Sequence, residues 1–297
     1  KLARDIERGK NQERGENGNH ASFARSRAAP ATTLTTHRWG ATLRMPDIYF
    51  EILDRADDLL VPLGDLADVS WGIKTGDDGL FFVRAQEASP VEPRFLTPVV
   101  FNLMELDQVI VTLDQLRRRL LLVDLRTGDD PWQERAPRLW RYLETARHER
   151  ATHLRPTCMA RERTAAHPRR WFELRPAPPG AILWSIMHQY RHLVPLNPAG
   201  FPANDNLLLI KPRHGIDPRL LASLLNSHVQ ALIKQAFGRH RNEGMLKTQG
   251  ADVKRMLVPD PRRITTTTAR RVLTAFDSIA ARKVGRIPEE CGQPDRR

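Results

Sequence analysis

Asp217-Pro218-Arg219-Leu220-Leu221-Ala222-Ser223-Leu224-Leu225-Asn226-Ser227-His228-Val229-Gln230-Ala231-Leu232-Ile233-Lys234-Gln235-Ala236-Phe237 is the stretch from which the fold is read. An Asx side chain caps orphan N–H groups and proline fits the first helical position, so Asp217-Pro218 predicts a helix start. Leu220, Leu221, Leu224, Leu225, Val229, Leu232, Ile233 and Phe237 recur three and four apart, giving one apolar face wide enough to be a core face. A single helix from Asp217 to Phe237 is therefore expected, stopped by Gly238. Beyond the stop, Arg239-His240-Arg241-Asn242-Glu243-Gly244-Met245-Leu246-Lys247 reads as a loop in which Gly238 and Gly244 bracket clustered donors. The chain leaves through Met256-Leu257-Val258-Pro259-Asp260-Pro261, a strand-like apolar run cut off by prolines.

Upstream of this stretch, Asn206-Leu207-Leu208-Leu209-Ile210 and Ala181-Ile182-Leu183-Trp184-Ser185-Ile186-Met187 read as strands, and Trp171-Phe172-Glu173-Leu174 as another. A helix is expected from Pro137 through Leu139, Tyr142, Leu143 and Ala146 to His148, after a turn at Gly128-Asp129-Asp130-Pro131. Arg94 to Val100, Gln108 to Val111 and Leu120 to Leu125 are short strand candidates. Leu66 to Val83 holds two apolar runs joined by a turn with Gly72, Gly76 and Gly79, which predicts a β-hairpin-like pair with an exposed tip. Leu43 to Leu59 fits an amphipathic helix begun by Pro46-Asp47. Downstream, Thr265 to Thr268 supplies an N-cap for a helix marked by Val272, Phe276 and Ile279 and ending near Val284. The expected division is a mobile arm or linker over 1–40, one domain over 41–262, and a C-terminal helix and tail over 263–297.

The 297 residues are 40% hydrophobic, enough for a real core. Forty-seven Lys and Arg against 35 Asp and Glu leave a formal charge of +12, and a polyanion is the partner such an excess favours. The two cysteines, Cys158 and Cys291, stand far apart, so neither a disulfide framework nor a zinc ribbon is encoded, and a cytoplasmic setting is expected. No stretch approaches the roughly 20 apolar residues of a membrane span, and no membrane partner is expected. The sequence begins at Lys1, not Met, which suggests part of a longer product.

The order Leu224-Leu225-Asn226-Ser227, then Gly238-Arg239 with Gly244 and Lys247 downstream, then Val258-Pro259-Asp260-Pro261, carries a resemblance. So do Leu63-Gly64-Asp65-Leu66-Ala67-Asp68-Val69 with Gly72-Ile73-Lys74-Thr75-Gly76 and Phe81-Phe82, and Arg169-Arg170-Trp171-Phe172-Glu173-Leu174. Together, from about Leu63 to Pro261, they resemble the C-terminal target-recognition domain of adenine-specific (N6) DNA methyltransferases of restriction-modification systems, itself similar to the repeats of type I specificity subunits. The resemblance implies an α/β fold with a twisted, mixed or mostly antiparallel sheet, packed helices and a small C-terminal helix. It implies sequence-specific binding of double-stranded DNA, with a methyltransferase catalytic domain in the same polypeptide or on a partner, and a restriction endonuclease as a further partner. Such enzymes hold S-adenosylmethionine in a glycine-rich loop and the flipped adenine in an Asn/Asp-Pro-Pro-Tyr/Phe motif. Neither is found here: Asn197-Pro198-Ala199-Gly200 and Asp130-Pro131-Trp132 lack the second proline. No catalytic residue and no cofactor are thus expected in this chain.

Candidate DNA contacts fall in three stretches. Gly72, Lys74, Thr75 and Gly76 form a turn whose glycines admit close backbone approach to a phosphate, with Lys74 as the point charge; the residues alone favour an ordinary tight turn with a solvated lysine, and the resemblance favours the DNA contact. Trp184 to His192 mixes aromatics with donors, and Trp184, His188 and Arg191 are candidate base-edge readers. Between Lys234 and Arg255 stand Lys234, Arg239, Arg241, Lys247, Lys254 and Arg255 against Glu243 and Asp252; Arg239, His240, Arg241 and Lys247 are expected at backbone or bases, the alternative being a solvated basic loop. Two competing functions remain: a metal-dependent nuclease using His188, His192 and Asp205, and a nonspecific nucleic-acid-binding protein.

Overall fold

The computed structural model describes residues 45–56, 58–123, 132–149, 170–174 and 178–292. The expected arm over 1–40, the turn at Gly128 to Pro131, Cys158 and the last tail residues lie outside them. Two compact units divide the chain, Lys1–Asp57 and Asp58–Arg297. In the first, helix α1 (Asp47–Arg55) buries Tyr49 and Leu53, one turn apart. Asp47 in its first turn and Arg55 in its last complement the helix dipole.

The second unit runs β1 (Leu60–Pro62), α2 (Leu63–Leu66), β2 (Ala67–Trp71), α3 (Asp78–Phe81), β3 (Phe82–Arg84), β4 (Leu96–Val99), β5 (Arg118–Leu121), α4 (Trp132–Arg135), α5 (Pro137–Glu149), β6 (Ile182–Ser185) and β7 (Met187–His188). It continues with β8 (Leu207–Pro212), α6 (Pro218–Leu225), α7 (His228–Phe237), β9 (Arg239–His240), β10 (Leu246–Lys247), α8 (Gly250–Arg255), β11 (Leu257–Pro259), α9 (Thr266–Ala280) and α10 (Ile287–Gly292). Among the described residues the strands form four small sheets, ordered β1-β11, β2-β8-β6, β3-β5-β4 and β7-β10-β9. Every ladder among these residues is antiparallel, and parallel pairing there is confined to isolated bridges such as Ile73 to Asn204.

Strand β8 is central in its sheet, and Leu207, Leu208, Leu209 and Ile210 are all buried. Four consecutive buried residues require cover on both faces, because neighbouring side chains point opposite ways. Helix α6 packs against β8 and α8 against β2, while α9 lies on α6 with Arg219 paired to Asp277. A second apolar cluster fills the space between the β3-β5-β4 sheet and α5, which contributes Leu139, Leu143 and Ala146 at helical spacing. The α5 start is held from outside: the Glu92 carboxylate accepts from the N–H groups of Arg138 (2.8 Å) and Leu139 (2.9 Å).

Several expectations change. The helix predicted from Asp217 to Phe237 is two helices, broken at Asn226-Ser227. Asp217 caps α6, Ser227 caps α7 through the N–H of Gln230, and the Asn226 amide exchanges two hydrogen bonds with the Val194 backbone, 3.0 and 2.8 Å. The basic loop after Gly238 is a β-hairpin, β9 and β10, closed over a turn at Asn242–Gly244. The expected hairpin over Leu66 to Val83 does not form: β2 pairs with β8 and β3 with β5. Asp77 instead caps the helical turn α3 by accepting from the N–H of Leu80. Trp171 to Leu174 is a turn, not a strand, its two rings packed edge to face in the core at 5.5 Å. Gln108 to Val111 makes only a bridge, Ile110 to Leu196, and a second short helix, α10, follows the one expected near the C-terminus.

Gly72 is where the backbone tolerates least. A Cβ there would stand 2.2 Å from the Asn204 carbonyl oxygen and 2.5 Å from that of Ala203, both backbone atoms that cannot turn aside. Gly72→Ala should therefore lower stability by about 3 kcal/mol. Gly244→Ala, at φ +72° with open space around it, should cost only about 1 kcal/mol. Urea unfolding of the two variants checks the order, and equal losses would contradict the close approach at Gly72.

Candidate nucleic-acid interface

The β7-β10-β9 sheet is built by the chain before and after α7, and α8 follows it. Gly238 ends α7 and leaves room for Leu246, whose side-chain atoms would lie 2.5 Å from a Cβ at that glycine. The register sets Leu246 opposite both His188 and His240, and Lys247 opposite both Met187 and Arg239. Residues opposite one another share a face. Leu246 and His188 are buried, so the other row, Met187, Lys247 and Arg239, is the outward one. Met187 is 38% exposed and the Arg239 side chain 40%. His240 and Arg241 are exposed at the edge and turn.

Arg239 and Lys247 thus stand side by side as like charges directly across an antiparallel pair, an arrangement that is itself unfavourable. The nearest compensation is Asp252 of α8, whose Oδ2 lies 3.9 Å from Arg239 Nε. That carboxylate also accepts from the N–H of Gln249 at 3.1 Å and faces Arg255 at 3.4 Å. An anion approaching the outward face would meet two cations incompletely neutralised by the protein.

Beneath the sheet the polar side chains serve the fold. Trp184, expected as a base-edge reader, is fully enclosed and donates from Nε1 to Thr248 Oγ1 at 2.9 Å; no base can reach it. His188, also expected at the bases, is buried with Nε2 3.1 Å from the same hydroxyl. Arg191 is a clip rather than a reader: its guanidinium donates to the carbonyls of Leu103 (2.6 Å), Leu106 (2.9 Å) and Val284 (3.4 Å). Lys234, counted from sequence among the basic group of the loop, is buried, with Nζ 3.0 Å from His192 Nδ1. His192 Nε2 donates to the Leu225 carbonyl at 2.8 Å, which leaves Nδ1 as the acceptor for Lys234. Burial, reinforced by Lys234, holds His192 down to about 3. Burial and then the Lys234 and His192 charges hold His188 well below the usual histidine range. Both rings are neutral.

The turn after β2 is similarly occupied by its own structure. Gly72 is buried and gives its N–H to the Leu207 carbonyl, so the carbonyls of 203–204 take the place a phosphate would need. Thr75 is buried and donates to Asp78 Oδ1 at 2.5 Å. Gly76 turns the chain at φ 83°, and Lys74 is exposed. The charged groups that act on Asp205 are Asp78 and Lys74, whereas Lys234 acts on both His188 and His192. The nuclease triad of His188, His192 and Asp205 is not assembled, and no group of three or more His, Cys, Asp or Glu positioned to hold a metal occurs among the described residues. Sequence reading passed over Met187 in the outward row and the Asn226 clamp. The polar Asn-Ser pair interrupting an apolar face was the available signal for the clamp.

Burial pushes the Lys234 ammonium from 10.5 down to about 7. Below pH 7 both folded and unfolded chains hold the proton, and the fold carries the full cost of a buried ammonium. Between pH 7 and 10.5 the unfolded chain binds the extra proton, so stability rises with pH, with a slope approaching about 1.4 kcal/mol per pH unit. Lys234→Met should flatten that rise. Urea unfolding of both proteins at pH 7, 8 and 9 measures it, and parallel pH dependences would refute the assignment.

Residues 47–288 match the family described as the type II methyltransferase M.Eco57I, C-terminal domain. No curated protein matches the chain. Among solved structures it is similar to the type IIG restriction endonuclease BpuSI, at 13% identity and a TM-score of 0.56 over 81% of this chain and 28% of that one. The type IIL restriction-modification enzyme MmeI, solved in complex with DNA, aligns at 14% identity and a TM-score of 0.45, over 74% of this chain and 33% of its own. The HsdS subunit from Thermoanaerobacter tengcongensis aligns at 14% identity and a TM-score of 0.33, over 74% and 36%. The chain therefore spans about a third of the length of these proteins, and the likeness to BpuSI is one of fold: small antiparallel sheets with packed helices. The family match takes in all four sheets and the outward Met187-Lys247-Arg239 row, and the chain belongs to the family of the C-terminal domain of the type II methyltransferase M.Eco57I.

Proposed function

We propose that this chain is a DNA-recognition domain of a restriction-modification methyltransferase, binding duplex DNA of a particular sequence through the β7-β10-β9 sheet. The observation that carries the reading is the juxtaposition of Arg239 and Lys247 on one outward row, with Arg241 at the turn beside them. Like charges directly opposite repel, an anion bound between them would relieve that repulsion, and the chain's excess of +12 favours a polyanion. Family membership supports the same reading.

On this proposal Lys247 and Arg239 meet phosphates, and Arg241 and His240, exposed at the hairpin end, reach toward base edges. Lys74 contacts the backbone from the neighbouring turn. Methyl transfer to adenine N6 belongs to a catalytic portion outside these 297 residues, which would hold S-adenosylmethionine and supply the methyl group. This chain would fix where on the duplex that portion acts, in the cytoplasm, with a restriction endonuclease as the counterpart activity.

Selection of bound duplexes from a random-sequence pool tests the reading: a single enriched sequence is expected, whereas salt-sensitive binding with no enrichment would leave only a nonspecific nucleic-acid binder. Arg241→Ala should relax the selected sequence at one position, losing about 1–3 kcal/mol of discrimination there. Lys247→Ala should weaken all duplexes alike and lower the slope of log K against log salt by about 1. Identical behaviour of the two variants would refute the division of roles.

A further inference from the structure

Trp71 ends β2 with its side chain 49% exposed, the largest side chain among the exposed apolar residues near the basic sheet. Its backbone is fixed. Trp71 pairs with Leu208, whose other neighbour is the fully buried Trp184, and the next residue, Gly72, is locked by its N–H to the Leu207 carbonyl and by the carbonyls of 203–204. The indole is therefore held on the end of a strand, not on a loose loop.

Its surroundings place it beside the proposed DNA face. An ideal Cβ on Gly250 would lie 3.9 Å from Trp71 Nε1, so the ring runs along the first turn of α8. The same turn carries Asp252, the carboxylate 3.9 Å from Arg239. Only Thr248 and Gln249 separate Lys247 of the outward row from Gly250. Lys74, exposed, follows Trp71 by three residues in the chain. A half-exposed indole against the turn of α8 whose Asp252 faces Arg239 offers an apolar plane next to the basic sheet.

The geometry points to Trp71 as a base-stacking residue of the recognition surface, its ring taking the face of a nucleobase or wedging at a base step while the cations of the sheet hold the backbone. Nucleic acid is the occupant that the charge of the sheet favours. Any base presents a π-face, and an aromatic ring fixed in advance loses little freedom on binding. A wedge of this kind also selects for steps that unstack readily, so Trp71 would contribute to sequence choice without a hydrogen bond. This inference rests on the DNA-recognition reading above.

The test uses the full 297-residue chain and the duplex that the wild type enriches from a random-sequence pool, with binding followed by anisotropy across a salt series. W71A and W71L should lose roughly 5- to 150-fold in affinity, the range for one base stacked on an aromatic ring, and W71F should recover most of the loss. The salt slope of W71A should equal that of the wild type, because stacking releases no counterions, whereas Lys247→Ala lowers it. W71L keeps an apolar contact with α8, so the pair W71L and W71F decides the matter even if W71A does not fold. Wild-type affinity in W71L overturns the inference, as expected of a ring that instead docks the catalytic portion. A loss that W71F does not restore, accompanied by a lowered melting temperature, overturns it in favour of a packing role. If the wild type enriches no duplex, the recognition reading falls as well; if it binds and only the Trp71 variants are silent, this inference falls alone.

Discussion

The backbone hydrogen bonds of a single run, Ala203 to Pro212, tie together segments of the second unit that are far apart in sequence. Within it, β8 spends one edge on β2 and the other on β6, over registers that include Val69 to Ile210 and Leu183 to Leu209. Just before the strand, the Ala203 carbonyl accepts from Ile73, and Asn204 gives its N–H to Val100, which donates in turn to Pro202. Each such bond contributes only about 1 kcal/mol net, but an unpaired group buried at this depth would cost more than that. The run therefore binds the turn after β2, the end of β4 and the strand β6, segments otherwise remote in sequence. The apolar faces of α6 and α8 then have a fixed surface to close upon.

Much of this was readable from residue types because it is local. The spacing of leucines over 220 to 233, the proline after Asp217, the threonine cap before α9 and the apolar run of β8 each specify an element from within its own residues. What could not be read was partnership. Two apolar runs flanking a glycine turn suggest a hairpin, but Thr75, Asp77 and Asp78 tie the turn into a helical cap, and the first run finds its partner some 140 residues later, at Pro212 to Leu208. The break in the long helix was hidden because Leu225 and Val229 keep helical spacing across it. Only the distant backbone of Val194 shows why Asn226 leaves the helix. Trp171 and Phe172 have strand-like composition but are held by ring packing without a ladder.

The candidate interface was legible to the same degree and for the same reason. Clustered cations after Gly238 marked a segment that folds as a hairpin, which brings Arg239 and Lys247 to one row with Arg241 beside them. Donor-rich side chains elsewhere were ambiguous, since the groups that read a base also satisfy a buried carbonyl or hydroxyl. Trp184, His188, Arg191 and Lys234 all carry donors, and the fold spends each of them internally, on Thr248, on three carbonyls and on His192. Distinguishing the two uses requires knowing which face a residue occupies. That depends on the pairing of β7 with β10 across about 60 residues of chain, as in Leu246 to His188.

The hairpin is anchored at its foot. Leu246 fills the space beside Gly238, and Thr248 fastens the exit strand to Trp184, yet nothing lies within 4 Å of a Cβ added at Gly244, and Asn242 is exposed. Stability and contact chemistry are thereby separated along a few residues of chain. Replacements at Arg241 and Asn242, both exposed, would alter what the sheet touches while leaving untouched the β8 ladders. The turn is consequently the place where one scaffold can drift from one ligand preference to another without passing through an unfolded intermediate sequence.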